Sequence, residues 1–170
     1  MKFTYCPDCG LRLSARELGD EGAVAWCDSC AKPWFEVFPT ATIALVYNDS
    51  DRVLLLRQNY ISTQFRNLVS GYIQPGEDAE TTARREILEE TGLEVDRLEL
   101  RMTRWFPKKE MLMIGFFAHA LPDQQLRLSA EVDGAEWVNA SEILGLLHDS
   151  PTSTSRALAL EFLGRYQPDF

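Results

Sequence analysis

The feature that most constrains the fold of this chain is the segment GYIQPGEDAETTARREILEETGL, which runs from Gly71 to Leu93. Between residues 77 and 91 apolar side chains recur every three or four positions, as they do on the buried face of an amphipathic helix. Acidic residues cluster at the start of this stretch and Gly92 follows its end, which suits the helix dipole and a C-terminal cap. The segment therefore predicts a helix that follows a strand and a glycine-containing turn.

Three glutamates crowd one edge of this predicted helix. Glu89 and Glu90 follow Glu86 by three and four positions, so all three carboxylates are predicted to project toward one side. Like charges at this spacing repel each other, and an acidic run is commonly just a solvated helix face. Carboxylates beside a backbone loop are also the ligands that hold Mg²⁺ or Mn²⁺, and these ions in turn bind phosphate oxygens. The residues alone leave both interpretations open.

All four cysteines lie in the first thirty residues, as Cys6 and Cys9 in CPDC and Cys27 and Cys30 in CDSC. Two C-x2-C pairs separated by seventeen residues have the spacing of a four-cysteine zinc ribbon, in which each pair supplies two thiolates from a tight turn. Two disulfides or a redox C-x-x-C are the alternatives. Because about 30 residues bury too little apolar surface to fold alone, we expect residues 1–36 to hold a structural zinc ion.

Residues 37–170 are predicted to form a second domain, joined to the ribbon by a connector at residues 32–40. Aliphatic runs on both sides of the polar turn NDSD predict a β-hairpin, and two helices are expected near the C-terminus, one of them opened by Ser141 as N-cap. This order of elements predicts an α+β fold, an α/β/α sandwich built on a mixed β-sheet. Further strands are predicted at residues 68–73, 93–106, 111–121 and 134–139.

Charge and hydropathy exclude several classes of function. With a formal net charge of −9, the chain lacks the basic face that binds nucleic acid through bulk phosphate attraction, and an anionic substrate requires metal ions to offset that charge. No apolar run reaches the ~18 residues of a membrane span. The N-terminus also carries no signal-peptide hydrophobic region, so we expect a cytoplasmic protein without a membrane partner.

The segment from Gly71 to Leu93 resembles the Nudix box, G-x5-E-x7-R-E-U-x-E-E-x-G-U, in which U is an aliphatic residue. Agreement at nine fixed positions over twenty-three residues is very improbable by chance. The resemblance implies the Nudix fold and hydrolysis of a nucleoside diphosphate linked to another group. The matching residues are Gly71, Glu77, Arg85, Glu86, Ile87, Glu89, Glu90, Gly92 and Leu93.

The resemblance also implies roles for the charged residues of the box. Glu86, Glu89 and Glu90 are expected to carry the catalytic Mg²⁺ or Mn²⁺ ions, with Glu90 as the metal ligand closest to the attacking water. Arg85 is expected to pair with Glu77 and so to hold the loop against the helix. Which glutamate accepts the proton, and how many metal ions bind, stay open.

Three further residues match functional positions of the family. Tyr72 and Trp105 match positions whose rings stack on a base, although aromatic residues in strands are commonly packing residues. Glu131 matches a position that supplies an additional metal-binding carboxylate, and its alternative is a solvated loop residue. His119 and His148 have no cysteine or histidine at ligand spacing, and both are predicted to be structural.

A four-cysteine ribbon before a Nudix domain is similar to the bacterial NADH pyrophosphatase group. That group carries the motif S-Q-P-W-P-F-P-x-S after the box, whereas this chain has MTRWFPKKEM, which keeps Trp105, Phe106 and Pro107 but neither the serines nor the glutamine. Because the motif is the substrate signature of the group, the hydrolase class is retained while the preference for NADH is open. We also expect the chain to lack the additional N-terminal domain of the longer enzymes.

The function implied by the resemblance is hydrolysis of an NADH- or NAD-type dinucleotide to a mononucleotide and AMP. ADP-ribose, FAD and a 5′-capped RNA end are alternative substrates, and a non-catalytic module that senses a nucleotide is an alternative of another class. Other nucleic acid is not expected as a partner, since residues 10–26 of the ribbon carry two arginines against three acidic residues. A homodimer is implied by the resemblance alone.

Overall fold

The computed structural model describes residues 2–166, and the chain divides into two compact units, Met1–Phe38 and Pro39–Phe170. This boundary lies two residues beyond the one expected from the sequence, which placed the second domain at residues 37–170. Among the described helices, none is long and apolar enough to cross a membrane.

The first unit is a three-stranded antiparallel sheet in the order β1-β2-β3, formed by Ser14–Glu17, Ala23–Cys27 and Lys32–Trp34. The first three residues of the expected connector form β3, in which Pro33 lies opposite Trp26 of β2. Strand β3 is at the edge of the sheet, where a proline without a backbone N–H is tolerated. Pro33 is therefore compatible with a strand at residues 32–34.

The four cysteines of this unit form one cluster, with all four sulfur atoms within 4.8 Å of one another. Cys6 Sγ lies 3.9 Å from Cys30 Sγ and Cys9 Sγ lies 3.5 Å from Cys27 Sγ, distances that exclude disulfide bonds. The neighbouring sulfur atoms of Cys9 and Cys27 raise the pKa of Cys30 to about 12. Four thiolates this close repel each other unless a cation lies among them, so the donor set suits a tetrahedral metal ion.

The second unit is built on a six-stranded mixed sheet in the order β7-β8-β4-β5-β9, with β6 paired to β4 beside β5. The one parallel pair among these described strands is β4 with β8, in a register that sets Tyr47 opposite His119. The elements are β4 (Thr40–Tyr47), β5 (Arg52–Arg57), β6 (Val69–Tyr72), α1 (Ala79–Thr91), β7 (Val95–Phe106), β8 (Met111–Ala120), β9 (Gly134–Asn139), α2 (Ile143–Leu146) and α3 (Thr154–Tyr166).

Helices cover both faces of this sheet, which confirms the predicted α/β/α sandwich. Alternate side chains of β4 belong to two separate cores: Leu45 packs in the same core as Phe162 of α3, and Val46 packs in the same core as Ile87 of α1. Both faces of β4 are buried, so its sequence is a continuous apolar run rather than an alternating one. Burial on two sides makes β4 the centre of the unit.

Helix α1 begins two residues later than the sequence predicts. Asp78 is its N-cap, with a side chain that accepts a hydrogen bond of 2.7 Å from the backbone N–H of Thr81. At the other end Gly92 has a left-handed φ of 74° and donates its N–H to Leu88, as predicted for the C-terminal cap. Glu77 therefore lies in the loop that precedes α1 and not on the helix itself.

The helix after β9 also begins differently from the prediction. Asn139 and Glu142 form a capping box around a 3₁₀ turn at Ala140–Glu142, and α2 follows. The predicted N-cap, Ser141, is instead an exposed residue inside that turn. The asparagine side chain and the glutamate side chain together satisfy two backbone N–H groups, which a single serine hydroxyl does not.

His119 is buried at the end of β8 and joins two segments of the second unit. Its Nδ1 lies 2.8 Å from Asp96 at the start of β7, and its Nε2 lies 3.0 Å from Asp49 in the β4-β5 turn. The hydrogen bond with His119 holds the pKa of Asp96 below its usual range. These contacts give His119 a structural role, as predicted.

We expect the purified protein to contain about one zinc ion per chain, because the four-cysteine cluster has the ligands of a closed structural site. Cys27→Ser should lower the yield of folded protein, since metal binding supplies folding free energy to so small a unit. Elemental analysis of protein prepared without chelator measures the zinc content. Ser29→Ala, an exposed substitution between the same two cysteines, is the control; absence of zinc from the wild type contradicts the prediction.

Candidate active site

The first feature of the site is the close contact between β6 and α1. Gly71 lies in β6 directly against the carboxylate of Glu86, and a Cβ atom added at Gly71 would lie 1.9 Å from Glu86 Cδ. That distance is far below any van der Waals contact, so only glycine leaves room for the carboxylate at this point. The first glycine of the box therefore has a steric function that its sequence position alone does not reveal.

Arg85 ties the loop before α1 to the helix. Its Nε and Nη2 donate to the two carboxylate oxygens of Glu77 at 2.7 and 3.0 Å, a bidentate pair. Glu77 also accepts a hydrogen bond of 2.8 Å from the Thr82 hydroxyl. Hydrogen bonds from Arg85 and Thr82 hold the pKa of Glu77 at about 2. The expected pairing of Arg85 with Glu77 is thus present in the structure.

The same guanidinium reaches two more carboxylates. Arg85 Nη1 lies 2.8 Å from Glu86 Oε1 and 2.9 Å from Glu89 Oε2, while Nη2 donates to the backbone carbonyl of Tyr72 at 3.3 Å. Burial raises the pKa of Glu86, although the charge of Arg85 opposes that shift. The side chain of Glu89 is 58% exposed and is not among the residues that line the cleft described below. Glu86 and Glu89 thus lie on the same side of α1, where one Arg85 nitrogen contacts both, and a metal-binding role for Glu89 stays a prediction.

Glu90 is the most deeply buried acid of the site, with only 5% of its surface exposed. Its Oε1 accepts a hydrogen bond of 2.8 Å from Gln58 Nε2, and its Oε2 is buried without a hydrogen-bond partner among the described residues. Burial, together with the charges of Glu86 and Glu131, raises the pKa of Glu90 to about 7. An unpartnered carboxylate oxygen in this position is a candidate ligand for a hard cation.

Glu131 reaches the site because its loop is tied to two other elements. The backbone N–H of Ser129 donates to the Glu90 carbonyl at 3.3 Å, and Asp133 accepts a hydrogen bond of 2.7 Å from the backbone N–H of Asn59. The backbone of Asp133 also donates to the Arg57 carbonyl at the end of β5. The loop is thereby held between α1 and β5, and Glu131 lines the same cleft as Glu86 and Glu90 of α1.

Three of the predicted metal ligands share a cleft of about 1240 Å³. The cleft is lined by Glu86, Glu90 and Glu131, and also by aromatic and basic side chains. Among the described residues, the four cysteines are the only group of three or more such ligands whose atoms lie within 4.8 Å of one another, so the three carboxylates are more widely spaced. The aromatic and basic residues of the lining are Tyr60, Phe65, Tyr72, Phe106, Lys108, Lys109 and His148.

The structure separates the two aromatic residues predicted to contact a base. Tyr72 lines the cleft and is 52% exposed. Trp105 is not among the lining residues, whereas its neighbour Phe106 is one of them. The reason is a β-bulge between Leu100 and Met102, which shifts the alternation of β7 by one residue. Trp105 was assigned from the resemblance to the family, and its contact with a base stays a prediction.

Gln58 and Tyr60 were not singled out from the sequence, and Phe106 was noted only as a retained residue of the substrate motif, although all three lie at the site. Most of the Tyr60 side chain is exposed, while partial desolvation of its hydroxyl, together with the charges of Glu90 and Glu131, raises the pKa of that hydroxyl. The one signal available for Gln58 was the polar pair Gln58-Asn59, which directly follows the apolar run of β5. Polar residues at strand ends commonly lie at functional sites.

The sequence profile of the NUDIX domain matches residues 37–159 of the chain. The chain belongs to the Nudix family. This result places the box described above, with its glycine, arginine and glutamates, in the family for which that pattern is characteristic. The cleft and its carboxylates are therefore the candidate active site of a Nudix domain.

Curated relatives carry related names. The chain is 26% identical over 162 residues to the NAD-capped RNA hydrolase NudC of Pseudomonas aeruginosa, which covers 95% of this chain and 55% of that protein. Identity to NudC of Mycobacterium tuberculosis is 34% over 116 residues, which covers 66% of this chain and 37% of that protein. Human NUDT12, also named an NAD-capped RNA hydrolase, is 26% identical over 155 residues, which covers 86% of this chain and 33% of that protein. The chain thus spans about half or less of the length of these relatives.

Solved structures confirm the Nudix fold. A NUDIX hydrolase from Nitrosomonas europaea superposes with a TM-score of 0.70 at 20% identity, covering 96% of this chain and 93% of that chain. The NUDIX domain of Shewanella oneidensis NrtR, solved in complex with ADP-ribose, superposes with a TM-score of 0.62 at 18% identity, covering 83% of this chain and 93% of that chain. At these identities the likeness concerns the fold.

Gly71→Ala should damage the site while leaving the rest of the Nudix domain folded. The added Cβ would displace the Glu86 carboxylate, and a shift of about 1 Å in a catalytic group lowers kcat about 100-fold. Gly145→Ala is the matched control, because a Cβ at Gly145 meets nothing within 4 Å. Steady-state kinetics and thermal unfolding of both variants provide the test, and wild-type kcat in Gly71→Ala would refute the steric role.

Glu90→Gln should stabilise the protein above neutral pH when no divalent cation has been added. Folding raises the Glu90 pKa from its usual 4.5 to about 7, so the wild type loses stability as the pH rises from about 4.5 to 7. The uncharged variant avoids this loss, and we expect a gain of about 1–3 kcal/mol at pH 8 that vanishes near pH 4.5. Urea unfolding at both pH values measures the difference, and equal stabilities at pH 8 would contradict the burial argument.

Proposed function

We propose that this chain is a divalent-metal-dependent pyrophosphohydrolase that cleaves the diphosphate linkage of a nucleoside diphosphate derivative. The observation that carries the proposal is the cleft shared by Glu86, Glu90 and Glu131, in which one carboxylate oxygen of Glu90 is buried without a hydrogen-bond partner among the described residues. Three carboxylates facing one cleft of an acidic protein are unfavourable unless cations neutralise them. Membership of the Nudix family supports the same reaction class.

The residues that would hold Mg²⁺ or Mn²⁺ are Glu86, Glu90 and Glu131. A bound ion of this kind would neutralise the charge of the diphosphate and lower the pKa of a bound water. Other residues of the chain orient these carboxylates. Arg85 and Glu77 hold the loop and the helix together, and Gly71 lets β6 approach the Glu86 carboxylate. Burial of Glu90 keeps its carboxylate in a water-poor environment where charge interactions are stronger. The four cysteines are proposed to hold a structural zinc ion.

The leading substrate class is an NADH- or NAD-type dinucleotide, cleaved to a mononucleotide and AMP. A cleft of about 1240 Å³ is large enough for two nucleotides, and Tyr72 presents a half-exposed ring in its lining. Stacking of a base on such a ring contributes about 1–3 kcal/mol in nucleic-acid binding proteins. The structure favours Phe106 over Trp105 as the second aromatic contact. The names of the curated relatives, NAD-capped RNA hydrolases, support this substrate class.

A 5′-capped RNA end is the second candidate substrate, and Lys108 and Lys109 favour it. Both lysines line the cleft, in the place where the substrate signature of the NADH pyrophosphatase group is altered. Cations beside a site raise the local concentration of anionic ligands, and an RNA chain adds phosphates that a free dinucleotide lacks. ADP-ribose and FAD stay as further alternatives. A homodimer stays a prediction from the resemblance.

A panel of NADH, NAD⁺, ADP-ribose, FAD and NAD-capped RNA, incubated with Mg²⁺ or Mn²⁺ and analysed by mass spectrometry, tests the proposal. We expect hydrolysis of adenine-containing diphosphates without a sharp preference for NADH. Glu90→Gln should lower kcat by about two or more orders of magnitude, because it removes a metal ligand, and Glu131→Gln should do so less severely. Glu80→Gln, an exposed substitution on the same helix, is the matched control.

Two outcomes would contradict the proposal. Wild-type kcat in Glu90→Gln would show that the metal-site assignment is wrong. Binding of ADP-ribose or NAD⁺ without any turnover would favour the alternative of a non-catalytic nucleotide-sensing module. Activity confined to nucleoside triphosphates would retain the pyrophosphohydrolase class and reject the dinucleotide.

A further inference from the structure

Gln58 is a buried polar residue that the proposed reaction does not yet use. It follows β5 directly, and only 2% of its surface is exposed. An uncharged amide is rarely buried so completely unless its polar atoms have partners. Here Nε2 donates to Glu90 Oε1 at 2.8 Å, while Gln58 Oε1 is buried without a partner among the described residues. Ordinary core packing does not account for a half-satisfied amide at this position.

The backbone around Gln58 is held on both sides. The carbonyl of Gln58 accepts hydrogen bonds from the N–H groups of Ile61 and Ser62 at 2.9 and 3.0 Å, which closes a turn. The residues before and after Gln58 are bonded to Asp133, in the loop that carries Glu131. The Gln58 amide is thus presented to Glu90 from a fixed backbone, as an outer partner must be if it is to orient a ligand.

The hydrogen bond makes the two oxygens of Glu90 different. An ionised carboxylate only accepts hydrogen bonds, so the Gln58 amide must turn its Nε2 toward Glu90. This contact occupies Oε1 and leaves Oε2 as the oxygen without a partner among the described residues. A carboxylate restrained in this way offers a cation one oxygen in a defined direction, whereas an unrestrained carboxylate can rotate about its terminal bond.

We propose that Gln58 is a positioning residue that orients the Glu90 carboxylate for divalent-cation binding through Oε2. The inference rests on the proposed function, because it assigns Glu90 as a metal ligand. Gln58 touches neither the substrate nor the cation in this assignment and acts through Glu90. Partners of this kind to metal ligands contribute about 10–100-fold to metal affinity or activity.

Gln58→Met and Gln58→Leu test the inference, because both replace the amide by an apolar side chain of similar size. Each should raise the Mn²⁺ dissociation constant about 10–100-fold, measured by the electron paramagnetic resonance signal of free Mn²⁺ in a titration of the purified protein. We expect kcat to fall with little change in the KM for NAD⁺. Gln125→Leu, the same substitution at an exposed position, is the matched control.

A double-mutant comparison separates this role from packing. If Gln58 acts through Glu90, adding Gln58→Met to Glu90→Gln should lower Mn²⁺ affinity no further, because coupled residues are not additive. A lower unfolding temperature with wild-type Mn²⁺ affinity in Gln58→Met and Gln58→Leu would overturn the inference and leave the proposed function standing. If Glu90→Gln binds Mn²⁺ with the affinity of the wild type, both the inference and the proposed function are overturned.

Discussion

The ion pair between Arg85 and Glu77 is the contact on which the candidate active site depends. It joins the loop after β6 to α1 through two short hydrogen bonds, and the same guanidinium also contacts Glu86. A planar guanidinium can contact several carboxylates at fixed angles, whereas a lysine ammonium offers no such fork. Because Arg85 is largely shielded from water and is paired with Glu77, Glu86 and Glu89, loss of its guanidinium leaves uncompensated carboxylates beside the cleft. The position of Glu86 against Gly71 follows from this anchor.

Repulsion among the carboxylates that line the cleft is the second constraint on the site. Glu90 is buried within the electrostatic influence of Glu86 and Glu131, and its raised pKa reflects that environment. Such an arrangement lowers stability in the absence of cations, which is common where a protein retains groups for function at the expense of stability. Gln58 belongs to the same arrangement, since its amide satisfies one of the two oxygens of Glu90. The other oxygen is the one proposed to bind a cation.

The residues proposed to bind metal and those proposed to face the substrate occupy different elements of the fold. Glu86 and Glu90 stand on α1, whereas Tyr60 and Lys108 lie on the segments that follow β5 and β7. Loops and strand ends can vary with little effect on the cores on the two faces of the sheet, because they contribute few buried apolar contacts. An intact box can therefore coexist with an altered substrate signature near residue 105, which is the combination present in this chain.

Local features of the site and the ribbon were predictable from the sequence. The capping residue Gly92, the hairpin around residues 48–51 and the paired cysteines each depend on interactions within a few positions, so pattern and spacing are sufficient to identify them. The Arg85–Glu77 pair was expected from the resemblance and is present. The N-cap predicted at Ser141 was wrong, because Asn139 and Glu142 form a stronger capping pair.

The sequence by itself determined the periodic helix that carries the glutamates, the family and the paired spacing of the cysteines. Only the tertiary structure decided which carboxylates share the cleft, because Glu131 and Gln58 are brought to Glu90 by hydrogen bonds between segments far apart in the chain. It also decided that Phe106 rather than Trp105 lines the cleft, through a bulge in β7. The physical reason is that periodicity and capping are short-range, whereas register, bulges and loop anchoring depend on partners that local sequence does not specify.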